Sequence, residues 1–361
     1  MGPGGVEPPN QPLSGPFATD AVYRAAYMPA TKPLHQLIEL FNKSRRNEVA
    51  ASTYYNNSGH LNTFLQWCEN NNVETSADLD GITLLEYKIQ REEEVSRVTV
   101  SSELSTLRVF FRFCAKLDAV SNGFAENVPE MNISKNEMAK DDDIDVNRLE
   151  DILEYCEKFE YATHRHVIIL LFWHTGMRLG SLSSLDVGDY NNENGRAYLY
   201  VRHRPETGTR LKNGEDGERD ITISSSVSEV VDDYLSVHRH DVTDENGREP
   251  FITSKNGRLH KTAITKKVYS LTRPCHIGKD CPHDRDPEDC EATSYKEASK
   301  CPSSTSPHPL RRSAITFHLN AGWETADVSG RMNVSSKVLE LHYNNQTHED
   351  KRKQRESKYF D

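Results

Sequence analysis

This chain has no long apolar run. Its longest apolar stretch, Val167 to Trp173, falls far short of the ~20 residues that a membrane-spanning helix needs. The N-terminus also lacks the apolar segment of a secretory signal, so a soluble cytoplasmic protein is expected. Positive charge is scarce too: 44 Lys and Arg stand against 55 Asp and Glu, for a net charge of -11. That excludes a uniformly basic protein that coats nucleic acid. It does not exclude local basic sites, because binding depends on where charges cluster. Basic stretches at Arg202 to Arg210 and Lys351 to Arg355 alternate with acidic ones at Asp141 to Asp143 and Asp284 to Asp289. Such a surface suits a cell with molar internal salt, where the screening length falls to about 3 Å. Cysteine is limited to seven residues, an odd count without a secretion signal, which argues against a disulfide scaffold.

What is present divides the chain. Residues 1–32 are rich in Pro, Gly and Asn and read as a disordered tail. Residues 33–125 carry helical stripes, with Thr53 a candidate cap for the second helix. The clearest stripe is Val100, Leu104, Leu107, Phe111 and Cys114, at spacings of four, three, four and three. Four or five such helices make a compact all-α domain whose polar faces carry Lys43, Arg45, Arg46, Arg97, Arg108 and Arg112. A linker follows over 126–146. Helices are expected at about 147–158 and 163–175, then strands at Arg196 to Arg202 and Glu218 to Ser224, joined by a long polar hairpin turn. A helix at 226–238, a short strand at Pro250 to Thr253 and helices from about 309 complete a mainly α chain with a small antiparallel β-sheet.

Three separated motifs carry chemistry: His174-Thr-Gly-Met-Arg178-Leu-Gly-Ser-Leu, His308-Pro-Leu-Arg311-Arg, and Leu341-His-Tyr343. Each alone has a bland reading: a surface cap, a coincidence, a packed or solvated tyrosine. In this order they resemble the tyrosine recombinase (phage integrase, Xer-like) family over about residues 33 to 345. The cysteine-rich insert and the Arg331-Met-Asn-Val-Ser wording look like a haloarchaeal branch of it. The resemblance implies a SAM-like core-binding domain at 33–125 that clamps DNA. It also implies a catalytic domain at 147–345 with an insert at 275–301, and a charged tail at 346–361. It assigns Arg178, His308 and Arg311 to the scissile phosphate and Tyr343 as nucleophile. Lys212, in the long hairpin, matches the family's lysine, with Lys255 in the Ser254-Lys-Asn-Gly turn as the other candidate. Two positions depart from the pattern. Arg331 follows Gly330 where the family usually has His or Trp, and would either bind the phosphate or be structural. Ser181 stands where an acid is common.

The chemistry explains the residue types. Two arginines can fork onto the non-bridging oxygens of a phosphodiester and neutralise the charge that grows in the transition state. A tyrosine with an ordinary pKa near ~10 needs activation, for which His308 is the base. Lys212 would protonate the leaving 5′-oxygen. The product is a covalent 3′-phosphotyrosine, formed with no nucleotide cofactor and no metal. The partners implied are double-stranded DNA and further copies of the chain: a homo-tetramer on two DNA sites, a monomer or dimer off DNA.

The cysteines sort into two groups. Cys68, Cys114 and Cys156 sit singly in apolar patterns and read as core. Cys275, Cys281, Cys290 and Cys301, with His276 and His283 nearby, have the chemistry of a closed structural zinc site, although no Cys-x-x-Cys knuckle is present. Free thiols or a redox pair are the other reading. The functional alternatives are a topoisomerase-like relaxer of one duplex, a decayed zinc-braced DNA-binding protein, and a zinc hydrolase using Glu291. Four cysteine ligands would close the hydrolase's metal site.

Overall fold

The computed structural model describes residues 31–134, 143–193 and 195–342, with Glu137, Arg352 and Glu356. The N-terminal tail up to residue 30, Tyr343 and nearly all of the charged C-terminal tail lie outside the described residues. The chain divides into two units, Met1–Ala139 and Lys140–Asp361.

In the first unit four helices are described in full: α1 (Leu34–Arg45), α2 (Ala51–Asn70), α3 (Gly81–Glu94) and α4 (Arg97–Lys116). The side chains of Asp80 and Ser96 cap α3 and α4 by accepting from Thr83 N–H and Thr99 N–H. Thr53 is not a cap: Ala50 holds that position without a side-chain bond, and Thr53 lies within the first turn of α2. All five residues of the α4 stripe are buried. They meet Phe41, Phe64 and Tyr87 in an aromatic core where rings pack edge to face, as for Phe64 and Tyr87 at 5.1 Å. The core extends to Phe124 and Val128 beyond α4. One carboxylate is buried in it. Glu103, only 3% exposed, accepts from Tyr87 Oη (2.8 Å) and from Arg91 Nη2 and Nε (2.8 and 3.0 Å).

The second unit is built on α6 (His164–Thr175), which packs against α5 (Val146–Phe159), α8 (Ser225–Asp233), α9 (Lys261–Leu271) and α10 (Pro307–Asn320). Val167, Ile168, Ile169, Leu171 and Phe172 of α6 are all fully buried, each side chain worth roughly 1.5–3 kcal/mol. The short helix α7 (Leu179–Ser184) leads to β1 (Tyr190–Glu193), β2 (Arg196–Val201) and β3 (Arg219–Ile223). These form an antiparallel sheet in sequence order, with Tyr190 opposite Leu199 and Leu199 opposite Ile221. Ala197, Leu199 and Val201 alternate inward, as period-two patterning requires. A small hairpin, β4 (Thr253–Ser254) with β5 (Gly257–Arg258), precedes α9. After α10 come α11 (Thr325–Met332) and α12 (Ser336–His342). Among the described residues no helix is long and apolar enough to cross a membrane.

Candidate active site

The site is assembled at the C-terminal end of α6. The helix stops at Gly176, whose φ of +56° is left-handed. A Cβ there would lie 2.6 Å from Met332 Sδ at the end of α11, so glycine suits the position both by its backbone angle and by this close approach. Two residues on, Arg178 sits at the N-terminal boundary of α7. Arg311, in the first turns of α10 and only 4% exposed, donates through Nη1 to the carbonyls of Gly176 and Met332, both at 2.7 Å, and through Nη2 to Asn333 O at 3.4 Å. Arg178 Nη1 donates to Asn333 Oδ1 at 2.5 Å. The structure therefore brings both motif arginines onto one junction, the α6 turn and the end of α11. His308 is exposed in the first turn of α10, just after Pro307. Tyr343 lies outside the described residues.

Lys212 is exposed in the loop between β2 and β3. That loop reaches the same junction: Asn213 Nδ2 donates to Asn333 Oδ1 at 2.7 Å, and Asn333 Nδ2 donates to Asp216 O at 2.8 Å. Lys255 instead tips the β4–β5 turn. The long loop is braced by a network of arginines and carboxylates. Arg204 forks onto Asp189 at 2.9 and 2.5 Å. Arg248 binds Asp186 and the hydroxyls of Thr207 and Thr209. Arg258 joins Asp186 to Asp244 at 2.5 and 2.7 Å.

Arg331 points elsewhere than Arg178. It donates to the carbonyls of Thr222 on β3 (2.8 Å) and His174 on α6 (3.1 Å), and its guanidinium lies 5.5 Å from the Trp323 ring centre. Arg219, at the start of β3, donates to Arg331 O (2.7 Å) and Gly217 O (2.8 Å). Burial, with the positive charges of Arg178 and Arg331 beside it, pushes the Arg219 pKa down to about 10. Arg219 Nη2 and Arg331 Nε are buried without a hydrogen-bond partner. Clustered cations with orphaned donors make a place where an anion is stabilised. His174 is half-buried; its pKa is pushed down to about 4 by desolvation, with Arg331 and His318 adding to it, and its Nε2 accepts from Ser224 N–H. Ser181 is buried in α7, and its carbonyl accepts from Ser184 Oγ.

The four clustered cysteines all line one small cavity, together with His283, Arg273 and Arg285. His276 does not share it: its ring meets Arg165 Nη2 at 2.6 Å and Glu160. Among the described residues no three His, Cys, Asp or Glu side chains are drawn together closely enough to hold a metal ion. The two ends of this segment are held together by Thr272, whose hydroxyl accepts from Thr305 N–H at 2.8 Å. Cys68, Cys114 and Cys156 are buried core residues, and burial pushes each thiol up to about 12.

The model of the phage integrase family matches residues 142–349, more than half of the chain and all of the site just described. The chain belongs to the phage integrase family. It is a tyrosine-type site-specific recombinase, and such enzymes need no cofactor for the chemistry. It is similar to a probable integrase/recombinase protein of Methanocaldococcus jannaschii, 23% identical over 242 residues that cover 65% of this chain and 69% of that protein. Its fold is similar to that of the Tn1549 transposon integrase solved with circular intermediate DNA, with a TM-score of 0.63 and 15% identity over 90% of this chain and 99% of that one. It is similar also to the lambda integrase in a tetramer bound to a Holliday junction, with a TM-score of 0.61 and 12% identity over 91% and 82%. The family match favours the recombinase over the topoisomerase-like and decayed readings. Two residues of this recombinase's junction, Arg219 and Asn333, are absent from the motif reading. Arg219 could be suspected from its place beside the hairpin lysine; Asn333 has a fainter signal, an asparagine directly after a helix, where the left-handed conformation is common.

Proposed function

We propose that this recombinase cuts and rejoins double-stranded DNA through Tyr343. The observation that carries the reading is the convergence of Arg178 and Arg311 on one junction, with Arg219 and its orphaned donor alongside. In the proposed step the Tyr343 oxygen attacks the scissile phosphorus and its proton passes to His308. A phosphorus–oxygen bond to tyrosine forms, and the bond to the 5′-oxygen breaks. That oxygen leaves as a hydroxyl, taking its proton from Lys212. The two arginines neutralise the non-bridging oxygens meanwhile. The reverse attack by a partner strand's 5′-hydroxyl restores the diester, so bond energy is conserved. Lys212 is preferred to Lys255 because its neighbour Asn213 bonds into the junction. Arg331 acts as a brace between β3 and α6.

Assembly follows the same reading. The similar lambda integrase is a tetramer on a Holliday junction. Four copies of this chain on two DNA sites, acting in the cytoplasm, are the corresponding proposal. The first unit would serve as the SAM-like DNA clamp. The cysteine-rich segment is proposed to hold one structural zinc, supported by four cysteines and His283 lining one small cavity, with the metal drawing the ligands inward. Purified protein should release one zinc per chain to a chromogenic chelator after thiol modification, and Cys281→Ser with Cys290→Ser should abolish it; a metal-free wild type refutes this.

The deciding experiment is covalent trapping. The protein is mixed, with EDTA present, with nicked suicide DNA carrying the flanking sequence of its own gene. Wild type and Tyr343→Phe are then compared on a denaturing gel. A DNA-linked band lost only in the variant is expected. A band that survives moves the nucleophile elsewhere, with Tyr359 next to test. Binding without any band returns the protein to the decayed reading.

A further inference from the structure

We infer that Asn333 is a positioning residue of the recombination site, one that locks Arg178 and the Lys212 loop into a single register. This rests on the reading just given.

Asn333 closes α11 in the left-handed region, with φ 50° and ψ 60°. Asparagine tolerates that conformation better than other side-chain-bearing residues. There the residue meets three elements at once, two through its side chain and one through its carbonyl. Oδ1 accepts from Arg178 Nη1 at 2.5 Å and from Asn213 Nδ2 at 2.7 Å, which uses both lone pairs. Nδ2 donates to Asp216 O at 2.8 Å. The main-chain carbonyl accepts from Arg311 Nη2 at 3.4 Å. The amide orientation is dictated by this network. Turned over, its NH2 would face two donors and its oxygen would face a carbonyl.

The neutrality of the amide matters. A carboxylate in its place would hold Arg178 equally well, but its charge would compete with the scissile phosphate for the same guanidinium. An amide fixes the geometry and leaves the positive charge in place. Its second contact and its donor tie down Asn213 and Asp216, which follow Lys212 in the loop, so phosphate binding and leaving-group protonation share one anchor.

The test is single-turnover cleavage of the suicide DNA by wild type, Asn333→Gly and Asn333→Asp. Two scissile groups are used: the normal diester, and a methylphosphonate in which one non-bridging oxygen is replaced by methyl. Glycine keeps the left-handed backbone without strain, so loss of fold is not what is measured. On the diester Asn333→Gly should cleave about 10- to 100-fold more slowly, less than the loss of a donor that itself touches the transition state, with unchanged DNA binding. Asn333→Asp should be at least as slow, because it keeps the contact but adds the competing charge. On the methylphosphonate, where less charge awaits Arg178, the ratio of wild type to Asn333→Gly should fall well below its value on the diester, keeping only the part that comes from the Lys212 loop. An equal ratio on both substrates, or full activity of either variant on the diester, overturns the inference. A wild-type band that depends on Tyr343 alongside such a result leaves the recombinase mechanism standing; a band independent of Tyr343 removes the mechanism itself.

Discussion

Arg204, Arg248 and Arg258 lie against Asp186, Asp189 and Asp244, whereas Arg219 and Arg331, in the same unit, donate to main-chain carbonyls. Among the described residues neither Arg219 nor Arg331 has a carboxylate partner. The first set cancels its own charge and holds a long loop in shape. The second set keeps its charge, at the expense of burial that pushes Arg219 down to about 10. One protein thus uses the same side chain for two purposes, and what distinguishes them is the acceptor. On the proposed mechanism, the charge that Arg219 leaves uncancelled beside Arg178 is available to an anion.

The sharpest way to break this comparison is to remove an arginine proposed to bind the phosphate. Arg178→Ala should lower the covalent-trapping rate by about 100- to 1000-fold. Arg178→Lys should recover only part of it, because an ammonium has no fork. Equal rates for Lys and wild type would mean that only charge counts.

The next effect is on stability. Asp186→Ala strands Arg248 and leaves Arg258 with Asp244 alone, both arginines being mostly shielded from solvent, and should destabilise the second unit by about 3 kcal/mol in denaturant unfolding. A change below about 1 kcal/mol would reduce the network to surface decoration.

Arg219→Met sharpens the contrast from the other side. The fold disfavours this cation, so its removal should hold or raise the thermal midpoint while cleavage falls. A drop in the midpoint matching that of Asp186→Ala would place Arg219 among the loop-bracing arginines.

The smallest effect is one of pH. Burial raises the Asp244 carboxyl, but hydrogen bonds from Arg258 and from the N–H groups of Arg248 and Asn246 outweigh it and leave its pKa lowered. Its contribution is therefore present above the ordinary carboxylate pKa and is lost as pH falls through the lower folded-state value. Asp244→Asn should flatten the acid side of the stability profile, read as the urea midpoint between pH 6 and pH 3; an unchanged slope counts against the linkage.

Much of the fold could be read from periodicity. The Val100 to Cys114 stripe is buried, and β2 and β3 lie within a residue of the strands expected from alternation. α9 went unread although Ile264, Val268 and Leu271 repeat at helical spacing, because the neighbouring lysines and the cysteine-rich segment obscure the pattern. At the site, motif order pointed to Arg178 and Arg311, which the structure brings together. The Asp186 network could not be read, since its members are scattered from residue 186 to residue 258 and meet only once the chain has folded. Asn333 escaped for a related reason: its importance lies in a backbone angle and in three elements that approach it, neither of which a linear pattern encodes.

Arg311 carries one further consequence. Its guanidinium grips the carbonyls of Gly176 and Met332, so it fastens α10 to two other parts of the unit before any DNA arrives. A lineage that stopped recombining would feel no pressure to keep Tyr343, yet selection for a folded, expressible protein would still retain Arg311. Among drifting relatives the nucleophile should therefore be lost early and this arginine late, which makes an intact Arg311 a poor sign of living activity and an intact tyrosine a good one.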